Sequence, residues 1–485
     1  MAKRTAVIDI GSNSARMVIY EKTSRFAFHL IHETKSRVRI SENAYENDNN
    51  LQDEALERAY NALQEFILTL QYYKVRKVLC VATSALRDAP NRQAFIQRVK
   101  QGLQLSIKII DGNKEAYYGG IAAANLLYLD TGLTIDIGGG STELALYENK
   151  EVTFTVSLNL GTVRLKELYF DNGDIDGAKE HILNEFKKLP SNLKHENIIG
   201  IGGTLRALSK MILEKEKVAY QKLHGFTYKI QKQASYFHDI LNADEKDLKQ
   251  LGVKKDRLDV IQPGLLILTQ LIEYINAKKV ITSGVGVREG LYLNDILRSQ
   301  QHKFPTNYNP SVRSLLDRFS QNENTQINKY SGVLFDICVN ALKLNTKHKL
   351  LFLYAVKLSQ IGKELDFYEA HRHAYYLLLN GLNYAFSHKD TMLISTLVRY
   401  QRKKSPALSH LQKYKDYLPN TEVVNALSFL MSLTLTLFND FSPGKECKIY
   451  FEGKDLCIQI QHKHLLEEKL KDITTGNSYF NIRLV

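Results

Sequence analysis

Up to about residue 297, short apolar runs alternate with stretches of helical periodicity; from residue 311 onward the periodicity is almost purely helical. Residues 5–21 read as a hairpin, with a β-branched run through Val7, Ile8 and Ile10, a break at Gly11 to Ser14, and a second run through Met17, Val18 and Ile19. Residues 27–32 continue as a third strand, 37–40 as a basic strand-like segment, and the polar, acidic stretch 41–50 as a loop. Leu56, Tyr60, Leu63, Phe66, Ile67 and Leu70 recur at helical spacing and mark an amphipathic helix over 51–71. The apolar run 78–82 feeds Thr83 and Ser84, good helix caps, with Arg87 in the first turns behind them. A strand over 106–111 then leads through Gly112 and Asn113 into a helix from about Lys114, with Glu115 in its first turn.

The pattern then returns. Residues 134–147 form a second hairpin around Gly138, Gly139 and Gly140, and 152–158 a further strand; residues 161–164 open a helix that carries Arg164. Ile198 to Ile201 precede a glycine turn at Gly202, Gly203 and Thr204, with Arg206 behind it. Gln262, Pro263 and Gly264 begin a long apolar helix, and a last glycine turn holds Gly284, Gly286 and Arg288. Residues 299–310, polar and twice interrupted by proline, read as a linker. Within the helical C-terminal part, 427–438 reads as a buried core helix, and 447–451 and 456–461 as strands.

The two hairpins are copies of one another. Ile8, Asp9, Ile10, Gly11, Ser14 and Tyr20 match Ile135, Asp136, Ile137, Gly138, Ser141 and Tyr147 in register, which points to a duplicated unit. Four glycine turns in all suggest a cleft floored by glycine loops. Turns without side chains let backbone N–H groups approach a phosphate, and Ser12, Asn13, Ser14 and Ser141 add polar side chains. Pairing across the second hairpin brings Asp136 and Glu143 to one end of it, and two carboxylates beside a phosphate cradle want a cation, with Mg²⁺ the fitting ion and Mn²⁺ the alternative. In the first copy Arg16 stands where the second has Glu143, so one hairpin offers a cation to phosphate and the other an anion to metal.

This pattern resembles the actin, Hsp70 and sugar-kinase superfamily, and within it most closely the Ppx/GppA family of exopolyphosphatases and guanosine pentaphosphate phosphohydrolases. The motifs that carry the resemblance are Asp9-Ile-Gly-Ser-Asn-Ser14 with Arg16, Ala82-Thr-Ser-Ala-Leu-Arg87, Gly112-Asn-Lys-Glu-Ala116, Asp136-Ile-Gly-Gly-Gly-Ser-Thr-Glu143, Asn159-Leu-Gly-Thr-Val-Arg-Leu165, Gly200-Ile-Gly-Gly-Thr204 and Ser283-Gly-Val-Gly-Val-Arg-Glu-Gly290. The resemblance implies an α/β protein of two tandem ribonuclease H-like domains, 1–126 and 127–300, followed by a mostly helical HD-like domain over 306–485. It makes Glu115 the catalytic carboxylate, gives Asp136 and Glu143 the Mg²⁺ with Asp9 helping through water, and sets Arg16, Arg87, Arg164 and Arg288 against phosphate. Homodimerisation is also implied. In the HD-like part the resemblance rests on Leu351, Ala355, Leu358, Ile361 and Gly362, on His371 and His373 with Tyr375, and on residues 397–402. Ser359 and Gln360 stand where that fold's metal-binding His-Asp pair belongs, so phosphodiesterase chemistry is not expected there. Its expected role is to bind the far part of a long substrate, with Arg402, Lys403 and Lys404 as a basic patch, or to hold a dimer.

Composition adds bounds. The 485 residues exceed what one core organises, and the formal net charge of +13 suits a polyanionic ligand. No motif for specific nucleic-acid recognition stands out. Cys80, Cys338, Cys447 and Cys457 lack metal-ligand spacing and read as reduced thiols, and with neither a signal peptide nor a membrane span in view a cytoplasmic protein is expected. Three functions remain open: hydrolysis of a terminal phosphate from polyphosphate, from guanosine pentaphosphate or from both; a kinase of the wider superfamily; and a non-hydrolytic sensor of guanosine tetra- or pentaphosphate.

Overall fold

The computed structural model describes residues 3–320, 325–403, 405–438, 447–460, 464–474 and 479–485; Lys404 of the expected basic patch and Gln461 at the end of an expected strand lie outside them. The chain divides into two compact units, 1–308 and 309–485.

The first unit opens with β1 (Arg4–Ile10), β2 (Ala15–Lys22) and β3 (Phe28–Ser36), then α1 (Asp53–Tyr72), β4 (Lys77–Ala82), α2 (Ser84–Asp88), α3 (Arg92–Leu103), β5 (Lys108–Ile109) and α4 (Gly112–Leu126). The five strands form one sheet in the order β3-β2-β1-β4-β5, with β1 antiparallel to β2 and parallel to β4. Next come β6 (Gly132–Ile137), β7 (Thr142–Glu148), β8 (Glu151–Leu158), α5 (Thr162–Leu168), α6 (Ile175–Phe186), β9 (Asn197–Ile201), α7 (Gly202–Lys215), β10 (Thr227–Lys229), α8 (Ile230–Asn242), α9 (Glu245–Gln250), α10 (Ile261–Ile275), β11 (Lys279–Thr282) and α11 (Val287–Ile296). Their sheet runs β10-β11-β9-β6-β7-β8, so β8-β7-β6-β9-β11 repeats the order of the first sheet and β10 is added at its edge. Even the turns agree: Gly11 N donates to Ser14 O at 3.1 Å, and Gly138 N to Ser141 O at 2.9 Å. Ile8, Ile10, Met17 and Ile19 pack against Leu63 and Phe66 of α1, and Ile135, Ile137 and Leu144 share a core with Leu205 and Leu208 of α7 and Leu265 and Leu268 of α10.

Two helices join the sheets. The helix α4 packs on β7 and β8 of the second sheet, whereas α11 packs on β1 of the first, where the Tyr20 hydroxyl donates to Glu289 at 2.5 Å and its ring lies 4.5 Å from that of Tyr292. The boundary expected at residues 126 and 127 therefore falls just behind a helix that covers the second sheet. The two helices touch at Gly290, where an added Cβ would stand 1.8 Å from the Tyr118 carbonyl oxygen. Because backbone, not a flexible side chain, blocks that space, Gly290→Ala is expected to destabilise the first unit by about 1–3 kcal/mol, read as a lower urea midpoint at unchanged slope.

Three expected elements differ. Residues 37–40 are not a strand, since Arg39 sits at φ 43, which breaks the extended run. The strand expected over 106–111 shrinks to the two residues of β5 because Asp111 is already a helix cap, its carboxylate accepting from Lys114 N at 2.7 Å. The glycine pairs at 202–203 and 284–286 lead directly into α7 and α11 rather than forming free loops.

The second unit comprises α12 (Pro310–Phe319), α13 (Thr325–Cys338), α14 (Lys349–Leu358), α15 (Ala370–Gly381), α16 (His388–Arg399), α17 (Leu408–Lys413) and α18 (Thr421–Phe438), then β12 (Lys448–Glu452), β13 (Asp455–Gln459), α19 (His464–Thr474) and β14 (Asn481–Leu484). Phe335, Phe352, Leu378, Leu397 and Leu430 meet in its core. The strand β14, not foreseen from the sequence, adds parallel to β13. Among the described residues α18 alone has the length and apolarity of a membrane span, and most of it is buried in this core. Ser359 is fully buried after α14, with its carbonyl accepting from Gln401 at 3.3 Å.

Candidate active site

The carboxylates come together because matching positions of the two sheets end at one crevice. In the pairing of β6 with β7, Asp136 stands opposite Glu143; in that of β1 with β2, Asp9 stands opposite Arg16. With Glu115 from the first turn of α4, these four acidic and basic strand residues line one cavity of about 150 Å³. Arg87 on α2 reaches Glu115 at 3.2 Å and Asp88 at 3.4 Å. The buried Glu143 accepts from the Ser157 hydroxyl at 2.8 Å.

Burial and mutual repulsion hold every one of these acids above its ordinary range. Asp136 is pushed up to about 6, mainly by burial. Glu143 rises to about 7, again by burial and with Asp136 adding, while Ser141 and Ser157 oppose through hydrogen bonds. Burial, then Glu143, raise Glu115 well above the usual carboxylate range against the pull of Arg87; burial also raises Asp9, against Arg288 and Arg16. Acids crowded in this way gain from a cation placed among them. Among the described residues no three His, Cys, Asp or Glu side chains converge into a full ligand set. Asp136 and Glu143, hard oxygen donors beside two glycine turns, fit an ion that takes one or two carboxylates and completes its shell with other oxygens.

The other side of the crevice is cationic. Arg16, Lys35, Arg206, Arg257 and Arg288 all line it. Burial, with Arg16 and Arg257 next, lowers Lys35 to about 8; burial and neighbouring arginines also lower Arg16, Arg206 and Arg257. The Arg288 guanidinium lies 3.9 Å from Asp9 and 3.7 Å from Glu33, and its buried Nε has no hydrogen-bond partner among the described residues. Arg206 is fixed by donating to the Ser283 carbonyl at 2.9 Å.

Backbone completes the cradle. Gly11 to Ser14 and Gly138, Gly139 and Ser141 face the crevice, as do the N-termini of α7 (Gly202, Gly203, Thr204) and α11 (Gly286, Arg288), whose positive dipole ends favour an anion. Gly202 has φ +80 and an added Cβ would lie 2.1 Å from Asp136 Oδ1, so only glycine lets the helix start beside that carboxylate.

Three residues expected to touch phosphate do not line the cavity. Gly140 is buried with its carbonyl accepting from Arg164 at 2.9 Å; Arg164 also holds Asp88 at 3.3 Å and lies over the Tyr45 ring at 4.5 Å, so it braces the glycine loop from behind. Arg87 spends its charge on Glu115 and Asp88. The hydroxyl of Ser141, expected to serve phosphate, is engaged with Glu143. Conversely, Lys35, Arg206 and Arg257 were not predicted as ligands. The signal for Lys35 was faint: it follows the polar side of β3, opposite Arg16 in register. Arg257 arrives on a short 3₁₀ turn and carries none.

The profile of the Ppx/GppA phosphatase family matches residues 18–299, and that of Ppx/GppA phosphatase, domain III, matches 309–474. Two proteins called guanosine-5'-triphosphate,3'-diphosphate pyrophosphatase, from Photobacterium profundum and Aliivibrio fischeri, are each 28% identical to this chain, over 83% and 84% of it and 81% and 82% of their own lengths. The crystal structure of the Aquifex aeolicus member of the Ppx/GppA protein family is 27% identical with a TM-score of 0.54, covering 62% of this chain and 99% of that one. An exopolyphosphatase from Cytophaga hutchinsonii, 21% identical with a TM-score of 0.56 over 61% of this chain and 98% of its own, is alike in fold.

Proposed function

The chain belongs to the Ppx/GppA phosphatase family, and from that premise we propose that it is a Mg²⁺-dependent phosphohydrolase that removes the terminal phosphate of guanosine pentaphosphate. The observation that carries this reading is the meeting of Glu115, Asp136 and Glu143 with Arg16 and Arg288 around one crevice. Glu115 takes the proton of the attacking water. Burial and Glu143 raise its proton affinity above that of an ordinary carboxylate, against the pull of Arg87, which strengthens it as a proton acceptor. The glycine loops and the starts of α7 and α11 seat the terminal phosphate, while Arg16, Arg206 and Arg288 neutralise charge as the phosphoryl group leaves its neighbour. Asp136 and Glu143 would hold the Mg²⁺, with Asp9 behind them; when bound, the ion screens the phosphate oxygens and the leaving group. Mn²⁺ fits the same oxygens.

A second cavity supports the guanosine substrate over inorganic polyphosphate. It measures about 260 Å³, shares Arg16, Gly203, Arg206 and Arg257 with the crevice, and continues into Ala207, Met211, Leu223 and Val253, with Glu214 at its edge. Apolar walls next to a row of cations suit a nucleoside whose phosphates enter the crevice, and a carboxylate suits the N–H edge of guanine. Ala207→Trp, which fills this cavity, is expected to raise KM for guanosine pentaphosphate at least tenfold and leave polyphosphate hydrolysis within twofold in a steady-state phosphate-release assay. Polyphosphate remains the second reading, since five crevice cations suit a chain of linked phosphates as well as they suit the phosphates of the nucleotide. The deciding test is phosphate release from each substrate with Mg²⁺ present and then chelated: release from guanosine pentaphosphate that needs the metal and no acceptor supports the proposal, and no release from either substrate overturns it. Phosphate release without an acceptor also excludes a kinase, and turnover excludes a purely sensing role.

For the rest of the chain, our reading is two tandem ribonuclease H-like domains of the actin-like ATPase superfamily followed by an HD-like helical domain without phosphodiesterase chemistry. Ser359 and Gln360 supply neither imidazole nor carboxylate, and the isolated His371 and His373 on α15 do not replace them. A homodimer is part of the same reading, and sedimentation analysis tests it.

A further inference from the structure

The end of the first sheet opposite the crevice carries a second concentration of positive charge, which the proposed reaction leaves unused. Arg4 begins β1, Lys22 ends β2 and Lys77 begins β4; with Lys3, Arg25 and Arg298 they wall a cavity of about 460 Å³, and among the described residues Asp295 is the one acid that lines it. Strand register places them there, since Arg4 pairs opposite Glu21, and Thr5 lies beside Lys77. β1 spans the distance to Ile10 at the crevice, six residue steps at about 3.3 Å, or ~20 Å.

We propose that this cavity is a second polyanion site, which binds a short run of linked phosphates. Two of its cations are already fixed: Arg4 by Glu21 at 2.6 Å and the Tyr73 carbonyl at 2.8 Å, and Lys77 by Asp295 at 2.5 Å. Lys22, Arg25 and Arg298 have no ion-pair partner among the described residues, and burial, followed by the charge of Lys3, already lowers the proton affinity of Lys22. Ammonium and guanidinium groups converging from several elements on one concavity, with a single acid among them, leave an excess of positive charge that a compact multivalent anion neutralises. The concave shape favours a small ligand over a nucleic-acid duplex, which would need an extended basic face. Inorganic and nucleoside-bound phosphates share this chemistry.

The second site is distinct from the crevice of the function proposed above, and its binding is read by calorimetry rather than by turnover. Tripolyphosphate is titrated calorimetrically into the full chain carrying Glu115→Gln, which keeps the probe intact, and methylenediphosphonate is titrated into the wild-type chain as a control that is not hydrolysed. Two binding events are expected, with the second weakened at least tenfold by K22Q/R25Q while phosphate release by the wild-type background stays within twofold. GTP in place of tripolyphosphate separates the sources: equal binding of both at the second site means that it reads only the phosphates, and loss of GTP binding there means that it takes inorganic chains. A single binding event that K22Q/R25Q does not alter overturns the proposal, as does a short DNA duplex that binds there more tightly than either phosphate probe.

Discussion

Glu115→Gln is expected to lower kcat for phosphate release by about 10²–10⁴-fold while leaving the Kd for guanosine pentaphosphate within a few-fold of wild type. The substitution keeps the size of the side chain and removes its ability to accept a proton. It weakens the Arg87–Glu115 contact at 3.2 Å, but Asp88 still holds Arg87 at 3.4 Å, so binding is expected to change little. A steady-state phosphate-release assay gives kcat and calorimetry gives Kd. Unchanged kcat would remove Glu115 from the reaction; a matching fall in affinity would make it a binding group instead.

The residues behind that prediction were legible for a simple physical reason. Strand, glycine turn and strand is a local signal, and because the unit is written twice each copy supports the other: Asp9 and Asp136 occupy the same strand end, and the repeated turn forms the same backbone bond. Local spacing does not report what arrives from other elements. Lys35 lies on β3 and Arg257 on a short turn more than 200 residues later, and only the packing of the two sheets brings both to one crevice. Arg164 misled for the opposite reason. It stands in a helix start that looks made for an anion, yet its guanidinium is engaged by the Gly140 carbonyl, Asp88 and the Tyr45 ring and does not line the crevice. Glycine pairs were misread where the chain changes directly from strand to helix, because a turn and a glycine-led helix start use the same residues.

Glu143→Gln is expected to reduce turnover at least a hundredfold at millimolar Mg²⁺ and to abolish most of the thermal stabilisation that the ion gives. Asp136 is raised to about 6 and Glu143 to about 7 in the fold, whereas both would titrate near 4 in an unfolded chain. A carboxyl whose folded value is raised contributes stability below its unfolded value and loses it as pH rises through the folded one. Without metal, Tm should therefore fall between about pH 4 and pH 7 as these acids ionise beside one another. Mg²⁺ binds the ionised pair, so it should restore Tm strongly at pH 7.5 and hardly at pH 5. In Glu143→Gln one charge is gone: the metal-free protein should lose less stability on going from pH 5 to 7.5, and added Mg²⁺ should raise its Tm by less than half the wild-type increment. Differential scanning fluorimetry across that pH range, with and without the ion, reads both effects independently of catalysis. An equal Mg²⁺ increment in the variant and wild type would place the ion on other residues.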